Sequence, residues 1–173
     1  MHPYEQWVMD FMQDTLADGR LVRILTVLDL YSRECVVATA APTFRGHDVA
    51  ELLSQVAASR GLPGRIRVDN GTEFTSKALD HWAYWHRVDL DFSRPGKPVD
   101  NTSIEAFNGT LRHECSSQHW FLSLQDVQRT LKAWRGDDNT QRPHSSLAGM
   151  PRAQFRAGGY FVPGRNRLQS AHA

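Results

Sequence analysis

Residues 7–40 hold short apolar runs separated by polar breaks. Trp7-Val8-Met9-Asp10-Phe11-Met12 is the first run, and Asp18-Gly19 marks a turn. Residues 21–30 are rich in Val, Ile, Leu and Thr, and Cys35-Val36-Val37-Ala38-Thr39-Ala40 follows the polar break Ser32-Arg33-Glu34. Such runs bounded by turn residues predict three strands in an antiparallel meander. From His47 to Arg60 the period changes. Val49, Leu52, Leu53, Val56 and Ala57 recur at helical spacing, and Gly61 with Pro63 ends the helix. Arg65-Ile66-Arg67-Val68 predicts a short strand running into Asp69-Asn70-Gly71. Residues 76–86 predict a helix with Leu79, Trp82, Ala83 and His86 on one side, and residues 88–92 a half-exposed strand. Residues 93–98 contain two prolines and a glycine and predict a loop. Asn101 is the expected N-cap of a helix whose stripe is Ile104, Phe107, Leu111 and Cys115. A last helix is expected from Leu124 to Trp134, capped by Ser123, and an irregular polar tail from Gly136. The order of elements predicts an α/β mixed sheet, an antiparallel part followed by strands reached through helical crossovers, flanked by helices.

Composition adds limits. The 173 residues suit one domain, and 40% apolar with 23% charged residues predicts a folded chain. No apolar run is long enough for a membrane span, and residues 1–6 lack the basic and apolar stretches of a signal peptide, so a cytoplasmic location is expected. The net charge of +1 hides an uneven distribution: residues 1–93 sum to −4 and residues 94–173 to +5. Arginine makes up 17 of the 20 basic residues, and its planar fork matches phosphate oxygens.

Three acids stand out by place. Asp10 interrupts the first apolar run, Asp69 ends a short strand, and Glu105 lies near the start of a helix. Carboxylates from separate elements can gather Mg²⁺, which prefers hard oxygen ligands. Ligands in open α/β sheets also sit beyond strand ends. Periodicity alone leaves a second reading open, in which all three are turn or surface acids. Glu105, Asn108 and Arg112 share one polar helix face. His113, Cys115 and His119 fit no standard zinc spacing, and Cys115 belongs to the apolar stripe. Trp82, Trp85, Trp120 and Trp134 read mostly as core residues.

Thirty-five residues separate Asp69 from Glu105. With that spacing the chain resembles the integrase catalytic core shared by retroviral integrases and insertion-sequence transposases. The resemblance rests on six blocks in order: Trp7-Val8-Met9-Asp10-Phe11; Leu25-Thr26-Val27-Leu28-Asp29 with Ser32-Arg33-Glu34; Asp69-Asn70-Gly71-Thr72-Glu73-Phe74; Pro95-Gly96-Lys97-Pro98 with Asn101; Ile104-Glu105-Ala106-Phe107-Asn108-Gly109-Thr110-Leu111-Arg112; and Arg142-Pro143-His144-Ser145-Ser146-Leu147. Two positions depart from it: Asp138 stands where the family commonly has Tyr, and Ser116 where it has Leu. The family's end-recognising helix-turn-helix region would precede the core, so this chain is expected to be a core, residues 1–135, with a C-terminal tail, residues 136–173, packed partly on it.

The resemblance implies a ribonuclease-H-like fold in which Asp10, Asp69 and Glu105 bind two Mg²⁺ ions, with Mn²⁺ as a substitute. It implies DNA cleavage at an element end and strand transfer by two-metal in-line attack on phosphodiesters. It further implies DNA ends and target DNA as partners, a homodimer or higher multimer, and no membrane. Asn108, Arg112, Arg94, Lys97, Arg142 and His144 are the expected DNA contacts, and Asn70 and Gly71 the expected shapers of the turn that aims Asp69. Gly is suited to a turn because it accepts positive φ. Asp29 is expected either to be structural or to support the metal ligands from behind. The alternatives are a catalytically silent fragment that binds DNA and self-associates, and a structure-specific nuclease of the same fold that cuts without joining.

Overall fold

The computed structural model describes residues 5–94, 96 and 101–158. Lys97, the rest of the expected loop around it, and the end of the tail lie outside the described residues.

The described residues form one sheet of five strands: β1 (Gln6–Thr15), β2 (Leu21–Asp29), β3 (Cys35–Ala41), β4 (Arg65–Val68) and β5 (Asp89–Phe92), in the order β3-β2-β1-β4-β5. β1–β2 and β2–β3 pair antiparallel, while β1–β4 and β4–β5 pair parallel. The first three strands are joined by tight turns. The parallel pairs need crossovers, supplied by α1 (Gly46–Arg60) and α2 (Lys77–His86). The mixed sheet matches the sequence expectation.

Both faces of the sheet are covered, which explains why β2 is buried almost throughout rather than alternating. Trp7, Met9, Leu25, Val27, Ile66 and Val68 pack on one face with Val49, Leu53, Leu79 and Trp82 of α1 and α2. Val8, Met12, Ile24 and Leu28 pack on the other. There they meet α3 (Thr102–Leu111) and α4 (Leu124–Thr140) through Ile104, Phe107, Leu111, Val127 and Leu131. Gly46 permits α1 to approach α2. A Cβ there would stand 1.8 Å from the Oγ of Ser76, whose side chain caps α2 by accepting from the Leu79 N–H at 3.2 Å.

The differences from the sequence reading lie at element ends. Asn101 stands at the N-cap of α3 but makes no side-chain cap; its amide donates to Ser93 Oγ instead. After α3 the backbone widens into one π-helical turn, Arg112–Ser116, which keeps Cys115 on the buried face. α4 runs six residues beyond Trp134, to Thr140, because Asp138 and Asn139 have buried partners. The expected irregular tail contains a 3₁₀ turn, Ser145–Leu147, and a short α5 (Arg152–Gly158), anchored by buried Leu147 and Phe155. Trp85 and Trp120, expected in the core, are 70% and 78% exposed, whereas Trp82 is buried.

Candidate active site

Strand register brings the first two acids together. The parallel pairing of β1 with β4 sets Gln6 beside Arg65, Trp7 beside Ile66 and Val8 beside Arg67. Continued two residues, that register carries Asp10 beside Asp69. β4 ends at Val68 while β1 runs on, so Asp69 leaves the sheet at the level of Asp10, beyond the carboxyl end of its strand. Across the antiparallel pair, Thr26 of β2 faces Asp10.

Asp10 points to the face covered by α3. Its Oδ1 accepts the Phe11 N–H at 2.8 Å, and its Oδ2 accepts the Asn108 amide at 3.0 Å. Asn108, itself buried, accepts the Thr26 hydroxyl at 2.8 Å. Both ends of the Asn108 side chain are therefore used inside the protein, as a strut from α3 to β1 and β2. Burial holds the Asp10 carboxyl above the ordinary aspartate range. The charges of Asp69 and Glu105 add to that rise, against the two donors.

Asp69 Oδ1 accepts the Gly71 N–H at 2.8 Å, and Gly71 O accepts the N–H groups of Phe74 and Thr75, both at 3.0 Å. Asn70 ties the same turn to the end of β5 by donating to Ser93 O at 3.1 Å. Asn70 and Gly71 both make hydrogen bonds within this turn, and Gly71 sits there without positive φ. Gly71 is absent from the positive-φ residues among those described, and a Cβ there would stand 2.9 Å from Asp69 Oδ1 and 3.3 Å from Glu73 Oε2.

Glu105 is exposed on the first turn of α3, and Arg112 is exposed where that helix passes into the π turn. The oxygen donor set of Asp10, Asp69 and Glu105 suits a divalent cation. Asp10 is raised chiefly by burial, and the charges of Asp69 and Glu105 add smaller contributions in the same direction. Among the described residues, no three His, Cys, Asp or Glu side chains already stand close enough to ligate one ion.

The remaining expected DNA contacts divide. Arg94 is exposed next to the undescribed loop. Arg142 and His144 sit instead in an internal network. Arg142 bonds Glu114, lies 3.7 Å from Asp137 and from Asp138, and covers the Trp134 ring. His144 lies against the Asp138 carbonyl oxygen at 3.1 Å and accepts from Arg152 Nε at 2.9 Å. The Asp138 carboxylate, 1% exposed, is held by Arg152 at 3.0 Å as a charge pair without well-aligned hydrogen bonds. Asp138, Arg152 and His144 form the buried part of this cluster, and Arg142 lies at its part-exposed edge beside Glu114 and Asp137.

Sequence reading missed Thr26, Arg23 and Glu73 as neighbours of the site. A polar Thr in an otherwise apolar strand was the available signal for the first. The others needed the pairing of β2 with the Asp69 turn. Asp29 is structural as expected: it accepts from Trp7 Nε1, Tyr31 N and Ser32 N at 3.2, 2.9 and 2.9 Å, closing the β2–β3 turn.

Comparison with known proteins gives a consistent picture. Two models described as integrase core domain match residues 1–98 and 86–151. An insertion element IS407 protein of Burkholderia multivorans is 44% identical over 90% of this chain and 56% of its own length. An insertion element IS476 protein of Xanthomonas euvesicatoria is 43% identical over 90% of this chain and 45% of its own. The chain thus spans about half the length of these relatives. Among solved structures, the simian T-cell lymphotropic virus intasome matches with a TM-score of 0.78 at 20% identity, covering 94% of this chain and 57% of that one. The HTLV-2 integrase catalytic core in complex with magnesium, in its trimeric form, matches with a TM-score of 0.74 at 14% identity, covering 90% and 98%. At these identities the structures speak for the fold, which is ribonuclease-H-like. The chain belongs to the integrase core domain family, as an integrase core of the insertion-sequence transposase kind.

Proposed function

We propose that the chain is a polynucleotidyl transferase core that cuts DNA at the ends of a mobile element and joins the freed 3′ ends to target DNA. The observation that carries this reading is the β1–β4 register, which aligns Asp10 with Asp69, in a chain where Glu105 is near enough for its charge to act on Asp10. The three carboxylates would hold Mg²⁺, two ions in all, with Mn²⁺ as a substitute. When bound, such ions supply Lewis acidity at the scissile phosphate and make the attacking hydroxyl more acidic.

The protein's own part is orientation. The Phe11 N–H and Asn108 fix the Asp10 carboxylate, and the Gly71 N–H fixes that of Asp69. Glu105, exposed on a long side chain, supplies the adjustment that completes the site. Arg112 and Arg94, both exposed, would hold DNA phosphates near it. Transfer between phosphodiesters by a hydroxyl needs no Ser or Tyr nucleophile. Binding two DNA ends calls for a homodimer or larger assembly; the HTLV-2 core among the structural neighbours is known in dimeric and trimeric forms.

Asp69→Asn should lower strand transfer of pre-cut element ends on the order of 10³-fold or more. The melting temperature should not fall. Undiminished joining in that variant would sink the reading. A second reading, a silent DNA-binding fragment, is favoured by the absence, among the described residues, of three side chains already gathered for an ion. Gel analysis of products separates the cases: joined strands support the transferase, cut strands alone a nuclease, and unchanged DNA the silent fragment.

A further inference from the structure

We propose that the Arg23–Glu73 ion pair is a positioning clamp that fixes Asp69 relative to Asp10 by locking the turn after β4 to β2. The inference rests on the reading of Asp10 and Asp69 as metal ligands.

Arg23 lies on β2, three residues before the Thr26 that faces Asp10. Its guanidinium bonds the Glu73 carboxylate and lies 4.2 Å above the Phe11 ring centroid. Phe11 follows Asp10, and its N–H holds Asp10 Oδ1. The Phe11 ring stacks on Phe74, centroids 5.0 Å apart, and Phe74 is buried and adjacent to Glu73. These contacts form a closed circuit from Asp10 through Phe11 to Arg23, and back through Glu73 and Phe74 to the turn whose first residue is Asp69.

The circuit also answers an electrostatic problem. Asp69 and Glu73 present their carboxylates to the same side of Gly71, close enough that both would crowd a Cβ there. Two anions so placed repel and tend to open the turn. Arg23 neutralises Glu73 through a direct hydrogen bond. Burial raises the Glu73 carboxyl, and the Arg23 hydrogen bond and charge more than offset this, so Glu73 is ionised and paired. An exposed pair would contribute little. This one is 30% and 14% exposed and lies over an aromatic ring, so its geometry is held.

The test is Mn²⁺ binding to the whole 173-residue chain by calorimetry, alongside melting without metal. Arg23→Gln and Glu73→Gln should each weaken Mn²⁺ binding roughly tenfold, the scale seen when groups supporting metal ligands are removed. The metal-free melting temperature should stay near that of the unaltered chain. Arg23→Lys, and the reversed pair Arg23→Glu with Glu73→Arg, should recover part of the affinity. Asp69→Asn serves as the control and should abolish binding. If Asp69→Asn loses Mn²⁺ but the Arg23 and Glu73 variants bind within about twofold of the unaltered chain, the clamp is overturned and the proposed function stands. If affinity falls only in step with the metal-free melting temperature, and neither Arg23→Lys nor the reversed pair restores it, the pair is merely structural and the clamp is overturned. If Asp69→Asn binds Mn²⁺ normally, the metal-site reading and the clamp fail together.

Discussion

Asp10 is ionised only against resistance. Burial and the charges of Asp69 and Glu105 raise its pKa, so between the ordinary aspartate value and the raised one the folded state binds more protons than the unfolded state. In that window the contribution of Asp10 to stability falls as pH rises. Relative to Asp10→Asn, the unaltered chain should therefore lose metal-free melting temperature with pH across it. Mg²⁺ should remove that relative decline. A melting series with and without Mg²⁺ checks the sign, and a rising metal-free profile that Asp10→Asn leaves unchanged would refute it. The choice of residue 71 follows equally local physics: φ does not call for glycine there, but a Cβ would push on the Asp69 carboxylate and so shift it from the Gly71 N–H. At this scale the sequence shows which residues are chemically capable. It does not show that Asn108 is spent holding Asp10 and Thr26, because partners 98 and 82 residues away meet only in the folded chain.

At the scale of elements, β3 is an edge strand, and α4 seals it. Asn139 accepts the Cys35 N–H and donates to Cys35 O, each at 2.9 Å. Gln128 does the same at Ala40, accepting its N–H at 3.2 Å and donating to its carbonyl. Two amides on one helix thus satisfy backbone groups that an open edge would offer to another chain. Asn139→Ala combined with Gln128→Ala should cost about 1–3 kcal/mol per site and promote aggregation on warming. Urea unfolding and light scattering measure the two effects, and a double variant as stable and as soluble as the parent would refute the role. This sealing also explains why α4 outruns its apolar stripe. Hydrophobic periodicity stops at Trp134, whereas the helix continues to carry Asn139, whose pull is a long-range hydrogen bond invisible to periodicity. The strands and α1, by contrast, were legible because burial on the sheet faces selects their apolar residues directly.

On the scale of the whole molecule, the charge asymmetry does not translate into a uniform DNA face. Three C-terminal cations are engaged by the protein's own acids: Arg142 by Glu114, Arg152 by Asp138, and Arg156 by Glu34 at 3.0 Å, with Arg60 on the other oxygen of Glu34 at 2.7 Å. Arg112 and Arg142 should therefore behave oppositely. Arg112→Ala should leave melting unchanged, weaken DNA binding and reduce the salt dependence by about one phosphate contact. Arg142→Ala should lower stability by about 1–2 kcal/mol, with little effect on DNA affinity while the chain stays folded. DNA-binding isotherms at several salt concentrations, paired with melting curves, separate the two. A destabilised Arg112 variant, or a fully stable Arg142 variant with lost affinity, would reverse the assignment.

The sequence by itself determined the mixed α/β order of elements, the three acids and their spacing, and the family resemblance, because strand and helix periods and acid spacing are properties of contiguous chain. It could not determine which polar residues would be spent inside the fold. The parallel register of β1 with β4 places Asp69 beside Asp10, and α3 brings Asn108 to them. The C-terminal segment folds back to occupy Arg142 and His144. Each of these depends on meetings between distant segments, where burial makes an unpaired charge or amide costly and pairing with whatever the fold brings near becomes decisive.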